Sequence, residues 1–219
     1  MQVVIQTDDN TQYDLYSDLG WVCDYPTNMS APQVRTNYKT IPGRNGVLDL
    51  TEIDGNLYYE DIEFTITAQK LIRASADIIS ATTTLMNLIN GQRVKVILNN
   101  SAYYYDARVN VGDFHITGLN LSVSLNVKAF PYRLQITPTT VTATLSGTAQ
   151  EITLLNGTMQ LVPSITATGT ATITYENNTY TISAGTNIQI PNMVLHEGSN
   201  TMSVTGTGNI TFTYTQGIF

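Results

Sequence analysis

The chain has 219 residues, a formal charge of −7 and a pI near 4.6, and only 12% of its residues are Asp, Glu, Lys or Arg. That balance excludes sequence-independent attraction to a phosphate backbone, the lone Cys23 excludes an intramolecular disulfide, and no apolar run reaches the length of a membrane-spanning helix. A hydrophobic fraction of 42% is enough for a real core, and because Thr, Ser and Asn supply much of the polarity, the composition leans to all-β.

The first residues, Met1 to Asp8, have neither a basic start nor a long apolar run, so no signal peptide is expected and folding in a cytoplasm is implied. Val3 to Ile5 reads as a short strand, Asp8-Asp9-Asn10 as a turn, and Tyr13 to Tyr16 as the return. Trp21 to Tyr25 is apolar enough to pack, and Pro26 and Pro32 bracket a connection. Val34 to Ile41 then leads into Pro42-Gly43-Arg44-Asn45-Gly46-Val47-Leu48-Asp49. Pro42-Gly43 is a turn signal, and Asn45-Gly46 is the dipeptide favoured where two central residues both need positive φ. Arg44 lies between them on an exposed tip. The residues Pro42, Gly43, Arg44, Asn45, Gly46 and Asp49 therefore read as a structured loop, against the plainer reading of a long hairpin connection.

Ile62, Phe64 and Ile66 alternate with polar neighbours, the pattern of a half-buried antiparallel strand. The one helix is expected over about 75–90, with Ser75 as N-cap, Asp77 in the first turn and Gly91 just past the end. Its apolar stripe is Ile78, Ile79, Thr82, Leu85, Met86 and Ile89. Val94, Val96 and Leu98 make the next strand, Asn99-Asn100-Ser101 the turn, and Ala107, Val109 and Val111 the return. Leu119, Leu121, Val123, Leu125 and Val127 share one face of the clearest strand.

Every Lys and Arg lies at or before Arg133, and beyond it the charged side chains are Glu151, Glu176 and Glu197. This shift places a boundary that gives domains 1–133 and 134–219. The second part is a series of short strands: Ile152–Leu154, Ile165–Ala167, Ala171–Tyr175, Thr179–Ile182, Ile188–Ile190, Thr201–Val204 and Ile210–Tyr214. Turns are expected at 176–178, 196–200 and 206–209, and the spacing predicts a sandwich or jelly roll.

Catalytic chemistry finds little footing. His115, between Phe114 and Ile116, reads as structural and His196 as a solvated turn residue; Cys23 has no activating context. No metal-ligand spacing appears, and Glu60, Asp61 and Glu63 read as a solvated strand face rather than a Ca²⁺ loop. Tyr103-Tyr104-Tyr105 and Trp21 could stack a ligand, but alternation assigns at least one tyrosine to the core.

The run from Ile41 to Thr51, followed by Tyr58-Tyr59 and the Ile62/Phe64/Ile66 strand, resembles the N-terminal region of distal tail proteins of long, non-contractile-tailed bacteriophages of Gram-positive hosts. The helix ending at Leu88-Ile89-Asn90-Gly91, the Tyr103–Arg108 strand and the exit at Phe130-Pro131-Tyr132 fit the same pattern. Pro191 followed by Gly198-Ser199-Asn200-Thr201-Met202 resembles that family's galectin-like β-sandwich. Where the family carries a basic residue shortly after the tyrosine, this chain has Tyr59-Glu60-Asp61-Ile62.

The resemblance implies a mainly β fold: an N-terminal β-sandwich-like, ring-forming domain with one helix, then the galectin-like sandwich. It implies a non-enzymatic virion protein without cofactor, located at the tail tip and made in the host cytoplasm. A homo-hexameric ring would join the tail tube to the host-adsorption apparatus, contacting tail tube protein, tape-measure protein and tail-tip or receptor-binding proteins. DNA would pass its channel without specific binding, and no membrane is involved. The Pro42–Asp49 loop is expected at or near a subunit contact, with Arg44 pairing to a neighbour's carboxylate. The rival readings are a carbohydrate-binding module, a tail-tube subunit and a tail-tip hydrolase.

Overall fold

Alternating apolar residues dominate the first half of the chain, and they fold it around one antiparallel sheet. In the computed structural model, which describes residues 1–219, the chain divides into two units, Met1–Pro131 with Phe219, and Tyr132–Ile218. The elements of the first part are β1 (Val3–Gln6), β2 (Gln12–Asp14), β3 (Val22–Cys23), β4 (Tyr38–Thr40), β5 (Val47–Asp49), β6 (Ile62–Leu71), α1 (Ser75–Ile89), β7 (Gln92–Leu98), β8 (Tyr103–Thr117) and β9 (Asn120–Gln135). The sheet order is β2-β1-β7-β8-β9-β6-β3, while β4 and β5 pair only with each other. Side chains two apart share a face. Phe64, Ile66 and Ala68 of β6 therefore lie buried beside Val127, Leu125 and Val123 of β9, in the register Phe64↔Val127, Ile66↔Leu125, Ala68↔Val123.

The helix covers this buried face through Ala81, Leu85 and Ile89, with Trp21 and Leu15 in the same cluster. Each fully buried Leu or Ile contributes about 1.5–3 kcal/mol by removal from water. Three details of the sequence reading change. The N-cap is Ala74 rather than Ser75. The Asp77 carboxylate accepts from the backbone N–H of Ala74 at 3.0 Å and of Arg73 at 3.3 Å, so an acid inside the helix does the capping. Ile79 and Met86 fall on an exposed shoulder, because the buried stripe is centred one position away, on 81, 85 and 89. Leu119 is exposed as well. It precedes β9 in the β8–β9 turn, whose Gly118 has φ +62°, and the buried series starts at Leu121. No helix is long and apolar enough to cross a membrane.

The second unit is a two-sheet β-sandwich. Its strands are β10 (Thr139–Ser146), β11 (Gln150–Asn156), β12 (Ser164–Ala167), β13 (Ala171–Tyr175), β14 (Asn178–Ile182), β15 (Asn187–Gln189) and β16 (Gly198–Tyr214), while β17 (Gly217–Ile218) pairs instead with Arg133 and Leu134 of β9. The turn expected at Gly206–Asn209 is not a turn. Residues Gly198–Tyr214 form one continuous strand, pairing with β11 and β13 in its first half and with β10 and β12 in its second. The strand bends where Gly206 (φ +155°) and Gly208 (φ +81°) cross the 168–170 segment, and a Cβ on Gly206 would stand 2.3 Å from the Thr170 carbonyl oxygen. Only glycine admits both that φ and that approach. The core between the sheets includes Leu154, Ile165, Ile173, Val204 and Phe212.

Asn200, expected in a turn, lies instead inside β16 and is buried. Its Oδ1 accepts from the Tyr175 hydroxyl and from the His196 N–H, both at 2.8 Å, and its Nδ2 donates to the His196 carbonyl at 2.8 Å. A polar side chain is tolerated there because its bonding capacity is used. The outer faces of the sandwich carry hydroxyl ladders, with Thr142 facing Thr211 at 3.0 Å and Thr153 facing Thr201 at 2.9 Å.

Candidate functional site

From Asp24 through Asp61 no residue is buried. Such a segment has no core to hold it and keeps its shape by local hydrogen bonds. Its base continues the β3–β6 pairing: Thr27 and Thr65 exchange backbone bonds of 2.8 and 3.0 Å. Higher up, the Glu60 N–H donates to the Gln33 carbonyl and the Arg35 N–H to the Tyr58 carbonyl, each at 2.8 Å. The Arg35 guanidinium meets Glu60 at 2.9 Å. Above these, the Leu50 N–H bonds the Asn37 carbonyl at 2.8 Å and the Asn37 N–H bonds Thr51 Oγ1 at 3.1 Å. The β4–β5 hairpin follows in the register Tyr38↔Asp49, Lys39↔Leu48, Thr40↔Val47. The result is a two-limbed arm made of backbone ladder and solvent-facing side chains.

The tip holds Pro42, Gly43, Arg44, Asn45 and Gly46. The Arg44 N–H returns to the Ile41 carbonyl at 3.1 Å, with Gly43 at φ +79°, the conformation a turn of this kind demands at its third residue. Asn45 departs from expectation. Gly46 has φ +77°, but Asn45 is absent from the positive-φ residues. The connection spans six residues, 41–46, so it does not need the two-residue turn that favours Asn-Gly. Asp49 is not grouped with the tip. It sits down β5 opposite Tyr38, and its carboxylate accepts from the Thr51 N–H at 2.9 Å. The hydrogen bonds from Thr51, side chain first and backbone second, hold the Asp49 pKa below its ordinary value. Arg44 is exposed and has no ion-pair partner in the chain.

Beside the hairpin, residues 51–57 bulge into a small loop closed by the Tyr58 hydroxyl on Asp54 at 2.6 Å. That bond lowers the Asp54 pKa and raises that of Tyr58. Hairpin and loop enclose an open hollow of about 630 Å³ walled by Val34, Tyr38, Leu50, Ile53 and Leu57, with Asp49 and Glu52 on its rim. Ile53 is 75% exposed, and Ile41, Val47 and Tyr58 are exposed nearby. Exposed apolar side chains are thus concentrated on this part of the arm, the kind of patch that distinguishes an interaction surface from single scattered residues. The sequence reading found the tip but not this hollow. Its signal was the long interval between Cys23 and Ile62 with no sustained period-two apolar pattern.

The residues considered for chemistry are dispersed. Cys23 is buried, and desolvation pushes its thiol up to about 11, so it stays protonated. His115, expected to be structural, is exposed at the outer end of β8. His196 faces Glu176 at 3.5 Å with both side chains about half exposed. Glu60 and Glu63 are paired with Arg35 and Lys128, at 2.9 and 3.3 Å. Tyr103, Tyr104 and Tyr105 are all half-buried, with Tyr105 edge-on to Phe64 at 5.2 Å and Tyr104 under the Lys95 ammonium at 5.0 Å.

No family model matches the chain, and no curated protein matches it in sequence. Among solved structures, the chain is similar to the crystal structure of the SPP1 Dit (gp 19.1) protein, described as a paradigm of the hub adsorption apparatus in Gram-positive-infecting phages. The match covers 99% of each chain with a TM-score of 0.69 at 12% identity. At that identity the likeness shows a shared fold: a mainly β chain with one helix, as the sequence resemblance implied.

Proposed function

We propose that this chain is a structural subunit of a bacteriophage tail tip, a distal-tail hub that closes into a hexameric ring between tail tube and adsorption apparatus. The observation that carries the reading is the upper part of the arm, whose hairpin and adjoining loop expose Ile41, Val47, Ile53 and Tyr58 around an apolar-walled hollow, on a fold matched over 99% of its length by a hub adsorption protein. In this reading the arm of one subunit lies on the next, with Arg44 reaching a neighbour's carboxylate. A head-to-tail contact of that kind closes into a cyclic ring when its rotation permits. Residues 1–133 build the ring and 134–219 serve as the docking part for tail-tip and receptor-binding proteins. The tape-measure and tail tube proteins are the remaining partners. A net charge of −7 suits a channel through which DNA passes without counterion-releasing contacts.

The rival of a sugar-binding sandwich gains nothing from the outer faces of the second unit. They carry threonine pairs, while Tyr175 and Tyr214 are buried and Tyr180 is half-buried against the core with its hydroxyl on the Asn192 carbonyl at 3.3 Å, and stacking on sugars needs exposed rings. Light scattering on size-exclusion fractions, followed by electron microscopy, tests the proposal. The expected result is a closed ring of six copies, limited to one or two layers. A strict monomer at high concentration, both alone and with its tail partners, overturns it, and an open-ended stack points to a tube subunit.

A further inference from the structure

The chain contains three Asn-Gly steps, Asn45-Gly46, Asn90-Gly91 and Asn156-Gly157. This is the dipeptide most prone to spontaneous deamidation, because a glycine nitrogen reaches the preceding side chain without steric hindrance. The folded environments differ sharply. Asn156 is buried, and its Nδ2 donates to the carbonyls of Met159 at 2.8 Å and Leu195 at 3.2 Å. Asn90 accepts from the Val111 N–H at 3.0 Å through Oδ1, and the nitrogen that would attack it, that of Gly91, is bonded to the Val109 carbonyl at 2.7 Å. Asn45 is exposed at the arm tip, its side chain has no hydrogen bond, the Gly46 nitrogen is not among the bonded backbone donors, and nothing stands within 4 Å of a Cβ placed on Gly46.

We infer that Asn45 is a site of spontaneous, enzyme-free deamidation, and that the fold protects the other two Asn-Gly steps. The Gly46 backbone nitrogen attacks Asn45 Cγ, and the bond from Cγ to the side-chain nitrogen breaks. That nitrogen leaves as ammonia, taking up the proton lost from Gly46. Water then opens the cyclic imide at either carbonyl, giving aspartate or its β-linked isomer. One water enters, one ammonia leaves, and no redox change occurs. The product adds one negative charge to a net of −7, directly beside the tip cation Arg44. On the ring reading above, this weakens the subunit contact as the protein ages, because the new carboxylate competes for Arg44. The conversion itself does not depend on that reading.

The test is peptide mapping by mass spectrometry after incubation of the purified chain at mildly alkaline pH, at several protein concentrations, beside a sample held in denaturant. Conversion at Asn45 is expected to run several-fold faster than at Asn90 or Asn156 in the folded chain, with the three rates converging in denaturant. Asn45→Gln should abolish the fast signal. An Asn45 that stays intact at every dilution, or an Asn90 or Asn156 that keeps pace with it when folded, overturns the inference. A conversion rate independent of concentration would count against the ring contact while leaving the modification standing.

Discussion

Arg35 and Glu60 face each other across the two limbs of the arm, Nε to Oε1 at 2.9 Å, both side chains more than half exposed. The acid stands just after Tyr59 on one limb, and the opposite limb supplies its cation. Exposed pairs are worth about 0–1 kcal/mol. Arg35→Ala is therefore expected to leave the thermal midpoint of the chain nearly unchanged. Hydrogen exchange should report its effect locally, with faster exchange of the Arg35 and Glu60 amides, which close the limbs by backbone bonds of 2.8 Å. Unaltered exchange at both would show that the backbone ladder alone sets the arm.

The bend in β16 is predicted to be intolerant of any side chain. In Gly206→Ala the new Cβ meets the Thr170 carbonyl oxygen at 2.3 Å and the Ala171 Cα at 2.8 Å, both of them backbone. A loss of about 3 kcal/mol or more is expected in urea titrations, since backbone must move in both strands. Gly147→Ala is a useful contrast. Its φ of +90° is also costly, but nothing lies within 4 Å of the added atom, so its loss should be nearer about 1 kcal/mol.

Much of this architecture was legible in the chain because burial leaves a periodic trace. The alternation in β6, β7 and β9 reports a face turned to the core, and the three- and four-residue steps of α1 report its helix, with Leu85 and Ile89 on the buried side; Ala81 escaped because a small side chain adds little to an apolar stripe. What escaped notice lacked that trace. The hollow beside Tyr38 and Ile53 is built from exposed residues, whose pattern no core constrains. The continuous β16 read as two strands because Gly206-Thr207-Gly208 carries the same local signal whether the chain reverses or bends. The outcome is decided by tertiary pairing with β10 and β13. Asn200 misled for a related reason: in sequence it looks like turn polarity, and its network with Tyr175 and His196 exists only once the sandwich has closed.

Asn200→Ala should destabilise the second unit by about 1–3 kcal/mol, because it removes the acceptor of the part-buried His196 N–H and one partner of the Tyr175 hydroxyl, and empties a buried position. The hydroxyl keeps the Val194 carbonyl at 3.0 Å, so Tyr175→Phe should cost less than Asn200→Ala. Denaturant midpoints of the two variants rank them directly. The reverse order would place the tyrosine, not the asparagine, at the centre of the network.

Burial raises the Cys23 thiol pKa to about 11, above its ordinary value of 9.0. Between those values the unfolded chain has released the proton and the folded chain retains it. Stability contributed by the protonated thiol is therefore complete below pH 9 and falls as pH rises towards 11. The loss from this group is at most about 3 kcal/mol across that window, and Cys23→Ser or Cys23→Ala should flatten the alkaline limb of a stability-versus-pH curve. In the folded chain the thiol should resist a disulfide exchange reagent at pH 8 and react promptly in denaturant.

Arg44→Ala separates a role in folding from a role in assembly. The side chain is exposed and unpaired within its own chain, so subunit stability should change by no more than about 0.5 kcal/mol. If Arg44 meets a carboxylate on the next subunit, the loss recurs at every contact of a closed ring, and a modest pairwise term multiplies into a marked shift of the dissociation midpoint. Light scattering over a dilution series should show the variant falling to monomer at higher concentration than the parent chain. Raising salt should narrow the gap, because screening weakens the parent's ion pair and has no pair to act on in the variant. An equally stable ring in Arg44→Ala would remove the tip cation from the contact. Ile53→Ser would then test whether the apolar hollow carries the contact by itself.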